Sequence, residues 1–115
     1  MAHAAVTSPL RKDRIAAALQ YIEANATQNV SVPKLAKIVH LSPYYFARLF
    51  KQRTGLTPHQ YVLNCRIEEA KRLLLHTVLD LAEIAQRLGF RDQSHFTARF
   101  RKATGVTPRR WRDKS

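Results

Sequence analysis

The stretch "FKQRTGLTPHQY", Phe50–Tyr61, returns as "FRKATGVTPRRW", Phe100–Trp111, with five of twelve positions identical and Lys/Arg, Leu/Val and Tyr/Trp exchanged like for like. In a chain of 115 residues, a repeat this close restricts the fold to one built twice from the same supersecondary unit. Upstream of the repeated stretch the echo continues, from Ser31 against Asp80, but at an offset of 49 instead of 50. The second copy therefore carries one extra residue between its turn and the helix that follows.

The repeated unit is helical. Apolar residues recur at spacings of three and four, and strand-like alternation is nowhere sustained. A first helix is expected from about Arg11 to Asn25, with Ile15, Leu19 and Ile22 on one stripe. Ser31 caps a second, turning Val32, Leu35, Ala36 and Val39 inward. Ser42 followed by Pro43 starts a third, which buries Phe46, Leu49 and Phe50 and stops before Gly55. Thr57 and Pro58 repeat that device and launch a long fourth helix to about His76, with Leu63, Ile67, Ala70 and Leu74 in register and a length of about 27 Å.

The second copy follows the same order. Asp80 with Glu83 forms a capping box ahead of Leu81, Ile84, Ala85 and Leu88; Gly89 and Phe90 turn the chain; a helix from about Asp92 to Ala103 buries Phe96 and Phe100. Thr107 and Pro108 then cap a short last helix bearing Trp111. The expected fold class is all-α: two tandem helix-turn-helix units, about 31–53 and 80–103, joined by a spacer helix over about 58–76 and closed by a terminal helix over about 108–113. Residues 1–10, small and polar, read as a disordered start or a linker remnant.

Charge narrows the partner. Twenty Lys and Arg against eight Asp and Glu give +12 and a pI near 10.7, a balance that suits a polyanion, whose phosphates release condensed counterions when neutralised. A basic surface with no such partner is the plain alternative. No apolar run is long enough to span a membrane, and "MAHAAVTSPL" does not read as a secretory signal. Cys65 is the one cysteine, which rules out an internal disulfide and fits a reducing cytoplasm. The five histidines are never three or four apart, so no metal or cofactor is expected. With no Gly-rich phosphate loop and no clustered carboxylates, the chain is not expected to be an enzyme.

Each second helix of the pair has two unlike sides. In the first unit Tyr44, Ala47, Arg48 and Lys51 lie opposite Phe46 and Phe50; in the second Ser94, Ala98 and Arg101 fall on the matching face, flanked by Gln93, His95 and Lys102. A buried stripe backed by short polar or cationic side chains is what a helix entering the DNA major groove requires. Alanine at 47 and 98 lets such a helix approach closely, or simply favours helix. A helical RNA-binding or protein-interaction module remains the rival reading.

From "SVPKLAKIVHLSPYYFARLFKQRTGLTPHQY" through "EIAQRLGFRDQSHFTARFRKATGVTPRRWR", the chain resembles the DNA-binding domain of the AraC/XylS family of bacterial transcription regulators, over about Ile15 to Arg112. The resemblance implies seven helices, with the third and sixth facing one side of double-stranded DNA in successive major grooves about 34 Å apart. It also implies a bacterial, cytoplasmic protein that binds promoter-upstream sites and activates transcription by contacting RNA polymerase. The isolated domain is expected to be monomeric. The family carries this domain either behind an effector-binding or dimerisation domain or alone, and both arrangements remain open here.

By the same resemblance the base-reading positions fall on Tyr44, Ala47, Arg48, Gln93, Ser94, His95 and Ala98. Arg48 is a candidate to grip guanine bidentately or to hold a phosphate; Gln93 to read adenine, or to cap its helix and meet the backbone; Tyr44 to stack on a sugar or meet a thymine methyl. Lys51, Gln52, Arg101 and Lys102 are expected on phosphates. Where many members carry Gly at the first turn this chain has His40, a residue type that tolerates a left-handed backbone better than most.

Overall fold

The computed structural model describes residues 10–114. The expected disordered start or linker remnant lies outside the described residues, apart from Leu10, which opens the first helix. Among the described residues there are seven helices and no strand: α1 (Leu10–Asn25), α2 (Val32–Ile38), α3 (Pro43–Thr54), α4 (Pro58–His76), α5 (Leu81–Arg87), α6 (Gln93–Thr104) and α7 (Pro108–Asp113). They divide into two compact units, the residues up to Asn25 with Val30–Val62, and Ala26–Asn29 with the residues from Leu63 on. Helix α4 starts in the first and continues in the second.

Capping explains where the helices begin. The Ser31 hydroxyl accepts from the Lys34 amide at 3.3 Å, Ser42 from Tyr45 at 3.2 Å, and Thr107 from Arg110 at 3.2 Å; the Asp80 and Asp92 carboxylates accept from Glu83 and His95 at 2.8 Å each. Every one of these satisfies an amide that the helix itself leaves unpaired. At Thr57 the cap is reciprocal: its hydroxyl accepts from the Gln60 amide, and the Gln60 side chain accepts from the Thr57 amide.

The first unit buries Ile15, Ala18, Ile22, Leu35, Ala36, Val39, Phe46, Leu49, Phe50 and Val62. Leu19, expected on the stripe of α1, is only half-buried, and Ala18 occupies the centre instead. A small side chain can be fully buried without adding to the apolar stripe, so a 3.6-residue period read from large side chains alone does not anticipate it. The second unit buries Ile67, Ala70, Leu73, Leu74, Ile84, Ala85, Leu88, Phe90, Phe96 and Phe100, with Leu63, Leu79, Leu81 and Trp111 packed at its edge.

The repeat in sequence is a repeat in detail. Phe46 and Phe50 meet at 5.6 Å between ring centroids and Tyr61 closes edge-on at 5.7 Å; Phe96 and Phe100 meet at 5.8 Å and Trp111 closes edge-on at 5.6 Å. Edge-to-face pairs suit the ring quadrupoles and fix rotation as well as contact. Thr54 donates to Phe50 O and accepts from the Leu56 amide, as Thr104 does with Phe100 O and the Val106 amide. Gly55 and Gly105 then end α3 and α6 in the left-handed region at φ 80° and 86°.

The turns inside the units are the same device with different residues. Leu41 N–H reaches Ala36 O at 2.9 Å and His40 N–H reaches Lys37 O at 3.2 Å; Phe90 N–H reaches Ala85 O at 3.0 Å and Gly89 N–H reaches Gln86 O at 3.2 Å. These are paired carbonyl caps that need a left-handed residue, supplied by His40 at φ 60° and Gly89 at φ 87°. At the far end of α4, the Arg112 guanidinium donates to Leu74 O at 3.0 Å, Thr77 O at 3.2 Å and Leu79 O at 2.6 Å. It thereby satisfies carbonyls that the helix end and the following loop leave open.

Candidate nucleic-acid interface

Helix α3 is anchored through Phe46, Leu49 and Phe50, which are buried, so the side chains between them must point out. Tyr44 stands 73% exposed. Arg48, Lys51 and Gln52 are exposed along the same helix and Ala47 is half-buried at the foot of the face. The guanidinium carbon of Arg48 lies 5.7 Å from the Tyr44 ring centroid. A cation held over an aromatic face loses less rotamer freedom when it engages a ligand.

Helix α6 repeats the arrangement around Phe96 and Phe100. Gln93, Ser94, Thr97, Ala98, Arg101 and Lys102 line one shallow groove on the surface of the second unit. Five of them were expected from the sequence, and Thr97 was missed. Its signal lay in the repeat: at the offset of 50, Thr97 stands where Ala47 stands, and Ala98 where Arg48 stands. Exposure follows that pairing, with Ala47 and Thr97 half-buried and Arg48 and Ala98 exposed. A threonine presents both a hydroxyl and a methyl group, the two kinds of contact that base edges accept.

His95 is set apart from that groove. Its ring is half-buried and edge-on to Phe90 at 5.5 Å, and its Nδ1 accepts from the Arg91 amide at 3.4 Å. Burial, together with the charges of Arg91 and Arg99, lowers its pKa from the ordinary histidine value, against the opposing pull of Asp92. That lowering favours the neutral ring, and with Nδ1 accepting from the Arg91 amide the ring's proton belongs on Nε2, a donor. The amide of His95 in turn holds the Asp92 carboxyl below the usual carboxylate range, so the cap of α6 stays ionised.

Two units thus present the same face at the same register, one carrying an aromatic ring and a guanidinium and the other short polar side chains, and residues 35–114 match a family model described as a helix-turn-helix domain. The chain belongs to the AraC-type helix-turn-helix family.

Family members are DNA-binding transcription regulators. Among relatives, the HTH-type transcriptional regulator YobQ of Bacillus subtilis is 38% identical over 97 residues, covering 84% of this chain and 40% of the relative. The chain therefore spans about two fifths of that curated relative's length. A transcriptional regulator from Chromobacterium violaceum, described as having an AraC-type DNA-binding domain, is similar in structure with a TM-score of 0.84 at 31% identity, over 90% of this chain and 92% of that one. The DNA-binding domain of the global transcriptional factor AdpA, solved in complex with a target DNA, is similar at a TM-score of 0.76 and 29% identity over 90% of each chain. Among the described residues of this AraC-type domain, no helix is long and apolar enough to cross a membrane.

Proposed function

We propose that this AraC-type domain binds double-stranded DNA sequence-specifically as a transcription regulator, with α3 and α6 in adjacent major grooves. The observation that carries the reading is the matched pair of faces, each backed by two buried phenylalanines and each open on the other side. A net charge of +12 supplies the attraction that either face needs. In this reading the two helix-turn-helix units occupy about 31–53 and 80–103, with α4 as the spacer.

The faces divide the work. Tyr44, Ala47 and Arg48 read the first half of the site, and Gln93, Ser94, Thr97 and Ala98 the second. His95 contributes from the rim through its Nε2 proton. Lys51, Gln52, Arg101 and Lys102 hold phosphates and set the register of each helix without reading sequence. The domain acts as the C-terminal part of a larger effector-responsive regulator or as a stand-alone member, as a monomer when isolated. It works in the bacterial cytoplasm, favouring activation through contact with RNA polymerase. Family membership supports that last step.

Arg48 gives the sharpest test. Its guanidinium, held over Tyr44, matches the two acceptors of guanine, so Arg48→Ala should flatten preference at one base position by about 1 to 3 kcal/mol while other positions keep theirs. Competition binding against single-base variants of the site measures this. An equal loss on every sequence would place Arg48 on phosphate instead.

A further inference from the structure

Arg66, on α4, takes no part in either face. Its guanidinium is half-buried in the second unit, and all three of its nitrogens donate to backbone carbonyls: Nε to Ala26 O at 2.6 Å, Nη2 to Gln28 O at 3.1 Å and Nη1 to Gly89 O at 3.2 Å. The same group lies 5.9 Å from the centroid of the Phe90 ring. Three separate pieces of chain, the segment Ala26–Asn29, helix α4 and the turn at Gly89, therefore converge on one side chain.

That turn leads directly into α6. Phe90 packs on Phe96 at 5.2 Å and meets His95 edge-on at 5.5 Å. Both partners lie in the first turns of α6, and Arg91, the extra residue of the second copy, donates its amide to His95. The planar fork of arginine fixes direction as well as distance, which one ammonium on a flexible stem does not.

We propose that Arg66 is a positioning residue for the second half of the site: it fixes the turn from Gly89 to Asp92 and, through Phe90 and His95, the angle at which α6 presents Gln93, Ser94, Thr97 and Ala98. The inference rests on the reading of α6 as a recognition helix. Because every partner of Arg66 named above lies in the second unit, readout by α3 serves as an internal control.

The test uses the full chain carrying Arg66→Lys, which keeps the charge and the aliphatic stem but not the fork, with Arg66→Gln as a second variant. Affinity is measured for a duplex selected from a random pool by the unsubstituted protein, and for versions of it scrambled in one half or the other. The ratio of two affinities is independent of the fraction of protein that is folded, so a loss of stability alone does not move it. The expected result is that discrimination in the second half falls by about fivefold or more, the size of one base contact, while discrimination in the first half is unchanged. Variants that keep full discrimination in the second half, or lose it equally in both, would overturn the proposal. If the unsubstituted protein itself ignores the second half, the reading of α6 falls, and this inference with it.

Discussion

Raising the salt concentration from about 50 to about 200 mM is expected to weaken binding to the selected duplex about 40-fold, taking only Lys51, Arg101 and Lys102 as phosphate-neutralising cations and a slope of about −0.9 per contact. The three side chains are exposed on the outward sides of α3 and α6. Arg48 and the helix N-termini would steepen the dependence further. Replacing any one of the three by alanine should lower the magnitude of the slope by about 0.9 and weaken binding to all sequences alike. A titration of affinity against salt checks both, and a flat dependence would remove the electrostatic part of the proposed function.

Gly89→Ala is expected to destabilise the second unit by about 3 kcal/mol, lowering the melting temperature by roughly 12 °C or more. Two costs combine. The backbone sits at φ 87°, where a side chain costs about 1 to 2 kcal/mol. An added Cβ would also stand 2.7 Å from Thr27 O and 3.3 Å from the Arg66 guanidinium. The carbonyl is backbone, so the segment carrying it must shift, and the Arg66 bonds to its neighbours Ala26 O and Gln28 O are disturbed with it. His40, the counterpart in the first unit at φ 60°, predicts the opposite sign. His40→Gly should stabilise by about 0.5 kcal/mol, the margin between about 1 kcal/mol of relieved strain and about 0.5 kcal/mol of added chain entropy in the unfolded state. Thermal unfolding followed by circular dichroism measures both, and equal, small effects would show that the two turns are interchangeable.

The order of the helices was legible because local chemistry decides it. Ser31, Ser42, Thr57, Asp80 and Thr107 are caps by residue type alone, and Phe46, Phe50, Phe96 and Phe100 mark buried sides by spacing alone. His40, which stands where the family resemblance implies Gly in many members, adopts the left-handed backbone that a glycine there would supply, at φ 60°. Ala18 was missed since burial of a small residue leaves no amphipathic signal. Ser94, Ala98 and Arg101 stand at the offset of 50 from Tyr44, Arg48 and Lys51, and the same offset carries Ala47 to Thr97, the one position of the face that the sequence reading left out.

Arg66 and Arg112 show a different limit. Each spends its charge on three backbone carbonyls, as far away in sequence as Ala26 and Leu74 respectively. Nothing in the spacing of a helix marks which of its arginines turns inward. In a chain this basic, these half-buried ones are hidden among those on the surface. Arg66 also sets the second turn apart, with a guanidinium on the Gly89 carbonyl and beside the Phe90 ring.

The most direct test is selection of bound sequences from a pool of random duplexes by the unsubstituted protein. The expected result is one asymmetric motif made of two blocks about 10 base pairs apart, one helical turn, as two recognition helices in successive major grooves require. The block read by α3 should contain a guanine whose preference is lost with Arg48→Ala. Recovery of a single block, no preference among duplexes, or equal binding to structured RNA would contradict the proposed function.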